Sequence, residues 1–220
     1  MADNSDTLVV LVHGFCRHGK NMQFWREHLQ DDFPNIAVAD MPATHRSFRS
    51  CLASLSRTVE LARPQLYRRI CFAGHSMGGL LLREFLAANP LPNADKLVCV
   101  GTPHYGSKLA DWALLLGFPY SGLIWPPLWA LRPAARKRIT TPNIPGLTIG
   151  ALVSTNNAHW PGKVFLSRSA DGLVESFSAE APDADAIAYV EAPHDPMQYD
   201  LKTVQLIRQF FLHGNFDLES

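Results

Sequence analysis

Charge of one sign is what this chain most lacks. Its 220 residues carry 20 Lys plus Arg against 20 Asp plus Glu, a formal net charge of zero. With that balance and no long like-charge block, nucleic acid is not an expected partner. One short basic cluster, Arg132, Arg136, Lys137 and Arg138, is the local exception. Cysteine is scarce too: the four, Cys16, Cys51, Cys71 and Cys99, show no Cys-x-x-Cys spacing, which argues against a disulfide framework or a cysteine metal site. No run reaches the roughly 18 apolar residues of a membrane span, since the longest candidate, 112–129, is broken by Gly117, Pro119, Gly122 and Pro126-Pro127. The amino terminus, Met1-Ala2-Asp3-Asn4-Ser5-Asp6, is polar and acidic, whereas a secretory signal needs a basic start and a longer apolar stretch. Together these absences predict a cytoplasmic protein, although export by a dedicated machine is compatible with the same features.

What is present is an alternation of short apolar runs with longer helical patterns, which predicts a parallel sheet with helices on both faces. At this length residues 1–220 are expected to form one domain. Strands are predicted at Leu8–Val12, Ile36–Ala39, Ile70–Ala73, Lys96–Val100, Leu147–Val153 and Ala186–Glu191, with a further extended piece at Lys163–Ser167. Helices are predicted at 21–29, 46–61, 77–88 and 203–212 from apolar residues three and four apart. The helix over 77–88 is apolar nearly all round and should lie centrally. Residues 108–145 break the rhythm: they carry Trp112, Phe118, Tyr120, Trp125 and Trp129 with no clean period. A long irregular insertion of that kind is often functional.

The chemistry gathers around Gly74-His75-Ser76-Met77-Gly78-Gly79, directly after the run Ile70–Ala73. Gly-x-Ser-x-Gly between a strand and a helix is the pattern of a nucleophile elbow, with the serine at the carboxyl edge of the sheet. A serine hydroxyl needs a neighbouring base. The late loop Ala192-Pro193-His194-Asp195 follows the final strand and supplies His194. The acid should come between serine and base in the chain, which favours Asp171 in the turn Asp171-Gly172-Leu173-Val174, with Asp183 and Asp185 as alternatives. The loop Val12-His13-Gly14-Phe15 after the first strand offers the Phe15 N–H as one oxyanion donor, and the Met77 N–H offers the other. His13 is expected to be structural, and the sharp turn should aim His75 away from the serine hydroxyl.

These elements, with Gly101-Thr102-Pro103-His104-Tyr105-Gly106-Ser107, make the chain resemble the α/β-hydrolase superfamily, in its bacterial triacylglycerol lipase/esterase-like branch, over nearly its whole length. The resemblance implies an α/β-hydrolase fold trimmed to about six mostly parallel strands, with 108–145 as a short apolar lid or cap. It implies a carboxylic ester hydrolase working through a Ser76-His194-Asp171 triad and an acyl-enzyme, on small-molecule or lipid esters. Trp112, Phe118, Trp125 and Trp129 are then the expected walls of the acyl pocket, and the basic cluster an expected point of peripheral membrane contact. Some secreted members hold a structural calcium ion. No convincing carboxylate cluster stands here, so neither a metal nor another cofactor is expected. Thioesterases and acyltransferases use the same triad, and a ligand-binding protein can use the same fold; oligomeric state is left open.

Overall fold

The computed structural model describes residues 4–117, 120–157, 160–167 and 169–218. Six strands, β1 (Thr7–Val12), β2 (Asn35–Ala39), β3 (Arg69–His75), β4 (Ala94–Val100), β5 (Thr148–Ser154) and β6 (Ala186–Val190), form one sheet in the order β2-β1-β3-β4-β5-β6. Every pairing is parallel. Parallel strands are covered on both faces and so read as continuous apolar runs. Within β1, Leu8, Val10 and Val12 enter one core layer, while Val9 and Leu11 enter the other.

The first layer is closed by α2 (Phe48–Leu61) and α3 (Met77–Ala88). In α2 the buried residues Cys51, Leu55 and Val59 recur every four positions, and Ser47 caps the helix by accepting the Ser50 N–H at 3.2 Å. The second layer is closed by α1 (Gln23–Leu29) and, later in the chain, by a helix over Leu201–His213. Strand order reverses between β1 and β3, so their following loops diverge at the carboxyl edge and leave a crevice. That crevice is where the Gly14-Phe15 and Ser76 turns lie.

Two sequence expectations are corrected. The insertion after β4 is more regular than its sequence period suggests: α4 (Lys108–Leu116), α5 (Ser121–Ile124) and α6 (Leu128–Leu131) precede β5. Ser107 caps α4 by accepting the Leu109 N–H, and Gly117 ends it. The helix was hidden because it exposes Trp112, Leu115 and Leu116 as well as burying Ala110, which erases a simple apolar stripe. The piece expected to be extended at Lys163–Ser167 instead begins inside α7 (Trp160–Phe165). Phe165 packs its ring on Trp112 of α4, with centroids 5.0 Å apart. The chain continues through α8 (Ser176–Ala179) to β6 and α9 (Leu201–His213), whose first turn Asp200 caps through the Thr203 N–H at 2.8 Å. No helix among the described residues is long and apolar enough to cross a membrane.

Candidate active site

Ser76 sits between the end of β3 and the first residue of α3, at φ 54° and ψ −123°. A non-glycine residue held at positive φ costs free energy and persists only where its surroundings over-determine it. The flanking glycines supply that constraint. A Cβ on Gly74 would come within 2.5 Å of the Gly79 nitrogen, and one on Gly78 would lie against the Val12 carbonyl oxygen. The strand and helix therefore approach too closely for any side chain, and the serine is forced outward at the turn. It lines a cavity of about 330 Å³.

His194 lines the same cavity from the loop after β6. Its Nδ1 lies 2.6 Å from Asp171 Oδ2, and its backbone N–H donates to the Asp171 carbonyl at 3.0 Å. The other carboxylate oxygen, Oδ1, accepts the Leu173 and Val174 N–H groups at 2.9 and 2.7 Å. An ionised carboxylate so held makes Nδ1 the protonated ring nitrogen and leaves Nε2 with its lone pair. Burial works against a charged His194, but the Asp171 charge, its hydrogen bond and the nearby Asp195 outweigh it and raise the pKa above the ordinary value. Ser76 and His194 share the cavity, and no direct hydrogen bond joins them.

The other acids considered are engaged elsewhere. Asp183 pairs with Arg83, and Asp185 accepts the Ile149 N–H at 2.8 Å. His13 is structural as expected: its Nε2 accepts the Met41 N–H at 3.0 Å while Nδ1 faces the Gly14 carbonyl at 3.0 Å. Phe15 lines the cavity. Among the described residues neither the Phe15 N–H nor the Met77 N–H meets an acceptor, as suits the first residue of a helix.

The expected pocket walls are displaced. Trp112, Trp125 and Trp129 do not line the cavity but lie at least one-third exposed on the outer side of the insertion. The Trp129 ring carries the Arg132 guanidinium 5.3 Å from its centroid. Phe118 lies outside the described residues. The insertion does reach the cavity, through Leu109, Ala110 and Ala113 of α4 and Leu128 and Leu131 of α6. Residues 109, 110 and 113 lie on the cavity side of α4, whereas Trp112, Leu115 and Leu116 project from another side of the helix.

Sequence reasoning missed three neighbours of His194. His75 lines the same cavity as Ser76, and its Nε2–H donates to the His194 carbonyl at 2.9 Å. Gly101, at φ +55°, lets β4 pass beneath the pair: a Cβ there would stand 3.2 Å from His194 Nδ1 and 3.4 Å from Asp171 Oδ2. Arg17 pairs with Asp195 at the cavity wall. Only Gly101 carried a readable signal, as a glycine directly after a strand.

Among the described residues no group of three or more His, Cys, Asp or Glu is placed to hold a metal ion. The arrangement instead places a hydroxyl and an imidazole backed by a carboxylate on one cavity. The all-parallel sheet in the order β2-β1-β3-β4-β5-β6, with the Ser76 turn after β3, has the architecture of an α/β-hydrolase. Residues 2–125 match the family described as "Putative serine esterase (DUF676)", and the chain belongs to that family. No curated protein matches the sequence. Its fold resembles the mature lipase BlEst2 of Bacillus licheniformis, with a TM-score of 0.72 at 18% identity over 89% of this chain and 87% of that one. It also resembles the metagenomic carboxyl esterase MGS0156, with a TM-score of 0.70 at 18% identity over 96% and 74% of the two chains. The esterase RhEst1 of a Rhodococcus species gives 0.57 at 18% identity over 94% and 90%.

Proposed function

We propose that this chain hydrolyses carboxylic esters through an acyl-enzyme on Ser76. The Ser76 Oγ attacks the ester carbonyl carbon while its proton passes to Nε2 of His194. The carbonyl oxygen takes the negative charge and is met by the Phe15 and Met77 N–H groups. As the tetrahedral species collapses, the carbon–alkoxide bond breaks and His194 returns the proton to the leaving alcohol. Water then enters, gives one proton to His194 and attacks the acyl carbon; the carbon–Oγ bond breaks, His194 returns that proton to the Ser76 Oγ, and the acid leaves. Asp171 holds the imidazole in the Nδ1–H tautomer and stabilises the transient imidazolium. The observation that carries this reading is the buried Asp171–His194 pair opening onto the cavity that Ser76 lines at positive φ.

The insertion 108–145 serves in this reading as a cap, with α4 and α6 as the acyl wall. Its outward residues, among them Leu115, Leu116, Leu123 and Ile124, are exposed. An apolar surface of that kind suits a lipid aggregate as the source of substrate. Co-sedimentation with liposomes tests it, and a protein that stays in the supernatant at every lipid composition removes this part of the reading.

A fluorophosphonate probe tests the core of the proposal. It should label the wild-type chain at Ser76 and leave Ser76→Ala unlabelled, and Ser76→Ala should lose turnover of short p-nitrophenyl esters while keeping its fold. Wild-type turnover in that variant would sink the assignment. Matched oxygen-ester, thioester and amide substrates then decide the acyl donor, with the oxygen ester expected to be fastest.

A further inference from the structure

In the reading above, the Phe15 N–H and the His194 imidazole must act on one carbonyl group, yet the sheet does not fix them relative to each other. Phe15 is carried by the loop after β1 and His194 by the loop after β6, and β3, β4 and β5 lie between those strands. No ladder hydrogen bond joins β1 to β6. Beyond the strand ladders, the spacing is set by contacts at the loops, among them the buried His75 Nε2–H bond that ties the His194 carbonyl to the end of β3.

Two further contacts join the segment after β1 directly to the loop after β6. The Arg17 Nη2 donates to Asp195 Oδ2 at 2.7 Å, and both side chains line the cavity. Arg17 Nη1 donates back to the Cys16 carbonyl at 3.2 Å, at a residue held in the left-handed region with φ 53°. The guanidinium thus grips its own loop with one nitrogen and the base loop with the other. Farther out, Asn21 Nδ2 donates to the Tyr199 hydroxyl at 2.7 Å, and Phe24 packs on the Tyr199 ring with centroids 6.5 Å apart. Of the two contacts only the ion pair touches the cavity.

We propose that Arg17 and Asp195 are positioning residues whose ion pair latches the oxyanion loop to the base loop across the cavity. The proposal rests on the esterase reading. The pair is 29% and 34% exposed at its two side chains, and an ion pair that open to solvent adds little to global stability. Its effect is therefore on rate. A small displacement between donor and base raises the barrier without weakening substrate binding, because the two are matched only in the transition state.

A second signature follows from charge. The groups facing His194 are Asp171 from the turn before α8, Asp195 beside it, Arg17 from the loop after β1 and His75 from the Ser76 turn. Asp195 favours the imidazolium and Arg17 opposes it. Breaking the latch from either side should lower the rate, yet the two changes should move the acid limb of the pH–rate profile in opposite directions. Arg17→Ala should shift it to higher pH and Asp195→Ala to lower pH. A scaffold defect would not produce opposite shifts.

The test is a double-mutant cycle on the full chain with soluble p-nitrophenyl butyrate. Each single variant should lower kcat by about tenfold or more, with KM changed by less than about threefold. The double variant should be no slower than the slower single, because one broken latch cannot be broken twice. Arg17→Lys, which keeps the charge, should retain most of kcat, and thermal melts should stay near wild type. Wild-type kcat in either single variant, multiplicative losses in the double, acid limbs moving the same way, or a loss carried in KM would each overturn the latch. Failure of the esterase reading is recognised separately, by absence of probe labelling at Ser76 in the wild-type chain.

Discussion

The size and lining of the cavity predict an acyl-chain limit that can be moved by one residue. The space is about 330 Å³, at the small end of the range for ligand pockets. Part of it must hold the ester carbonyl and the first atoms of the alcohol, leaving room for an acyl chain of up to about eight carbons. Each methylene buried there contributes about 0.8 kcal/mol, close to fourfold in kcat/KM. The step from a four-carbon to an eight-carbon acyl group is then worth up to ~3 kcal/mol, or about two hundredfold. Beyond that length the gain should stop. Ala113 lines this wall on α4, one turn from Ala110, and is only partly buried. Ala113→Phe adds six ring carbons to the cavity side and should collapse the eight-to-four ratio towards one. Leu128→Ala, which removes bulk from the lining at α6, should carry the limit to longer chains. The assay is kcat/KM for p-nitrophenyl esters of two to sixteen carbons, each kept below its aggregation concentration. A profile that climbs steadily to sixteen carbons, or a ratio that Ala113→Phe does not change, refutes the reasoning.

The pKa of His194 is raised, and a base must be neutral to accept a proton, so kcat/KM should fall as pH drops through a midpoint above the unperturbed ~6.5; a rate flat from pH 5 to 8 would contradict it. Burial lowers the pKa of His13, His75 and His104, the last to about 3. For each the stability is present above the unfolded value near 6.5 and is lost as pH falls towards the folded one, at up to ~1.4 kcal/mol per pH unit per histidine. His194, shifted the other way, offsets part of that loss. The urea midpoint should therefore be lower at pH 5 than at pH 7, and an equal or higher midpoint at pH 5 would count against the burial of these rings. Gly78→Ala places a methyl group against the Val12 carbonyl oxygen, so the strand and helix must part; a loss of about 1–3 kcal/mol or more in chemical denaturation is expected, and wild-type stability would show that the turn is looser than described.

The sheet was legible because parallel strands buried on both faces announce themselves: Leu8–Val12 and Ile70–Ala73 are apolar without interruption. The helix Met77–Ala88 was readable to the residue, since a glycine-flanked serine gives a sharp start and Asn89-Pro90 a sharp stop. Ser76, Asp171 and His194 were read from chain order, a topological signal that survives in one dimension, and the structure brings Asp171 and His194 into contact and opens His194 and Ser76 onto one cavity. Burial direction within the insertion was not legible. A run of tryptophans predicts a pocket wall, but α4 turns small Ala110 and Ala113 to the cavity and leaves Trp112 partly exposed. Which side of α4 meets the cavity depends on how the helix is rotated against its neighbours, which its own sequence period does not encode.

The same reasoning explains why the pairing of Arg17 with Asp195 is not legible in the sequence. They are 178 positions apart in the chain and belong to strands separated by three others, so no spacing rule links them. Strand order determines which loops share an edge of the sheet, but not how far apart two loops stand when their strands are not neighbours. Wherever a site draws one group from near one end of a parallel sheet and another from the opposite end, that distance has to be set by side chains outside the reacting set. In this chain the side chains that meet across that gap at the cavity are a guanidinium and a carboxylate. Their charges also act on the imidazole they position, so distance and acidity are coupled through one pair, and a substitution at either residue must disturb both.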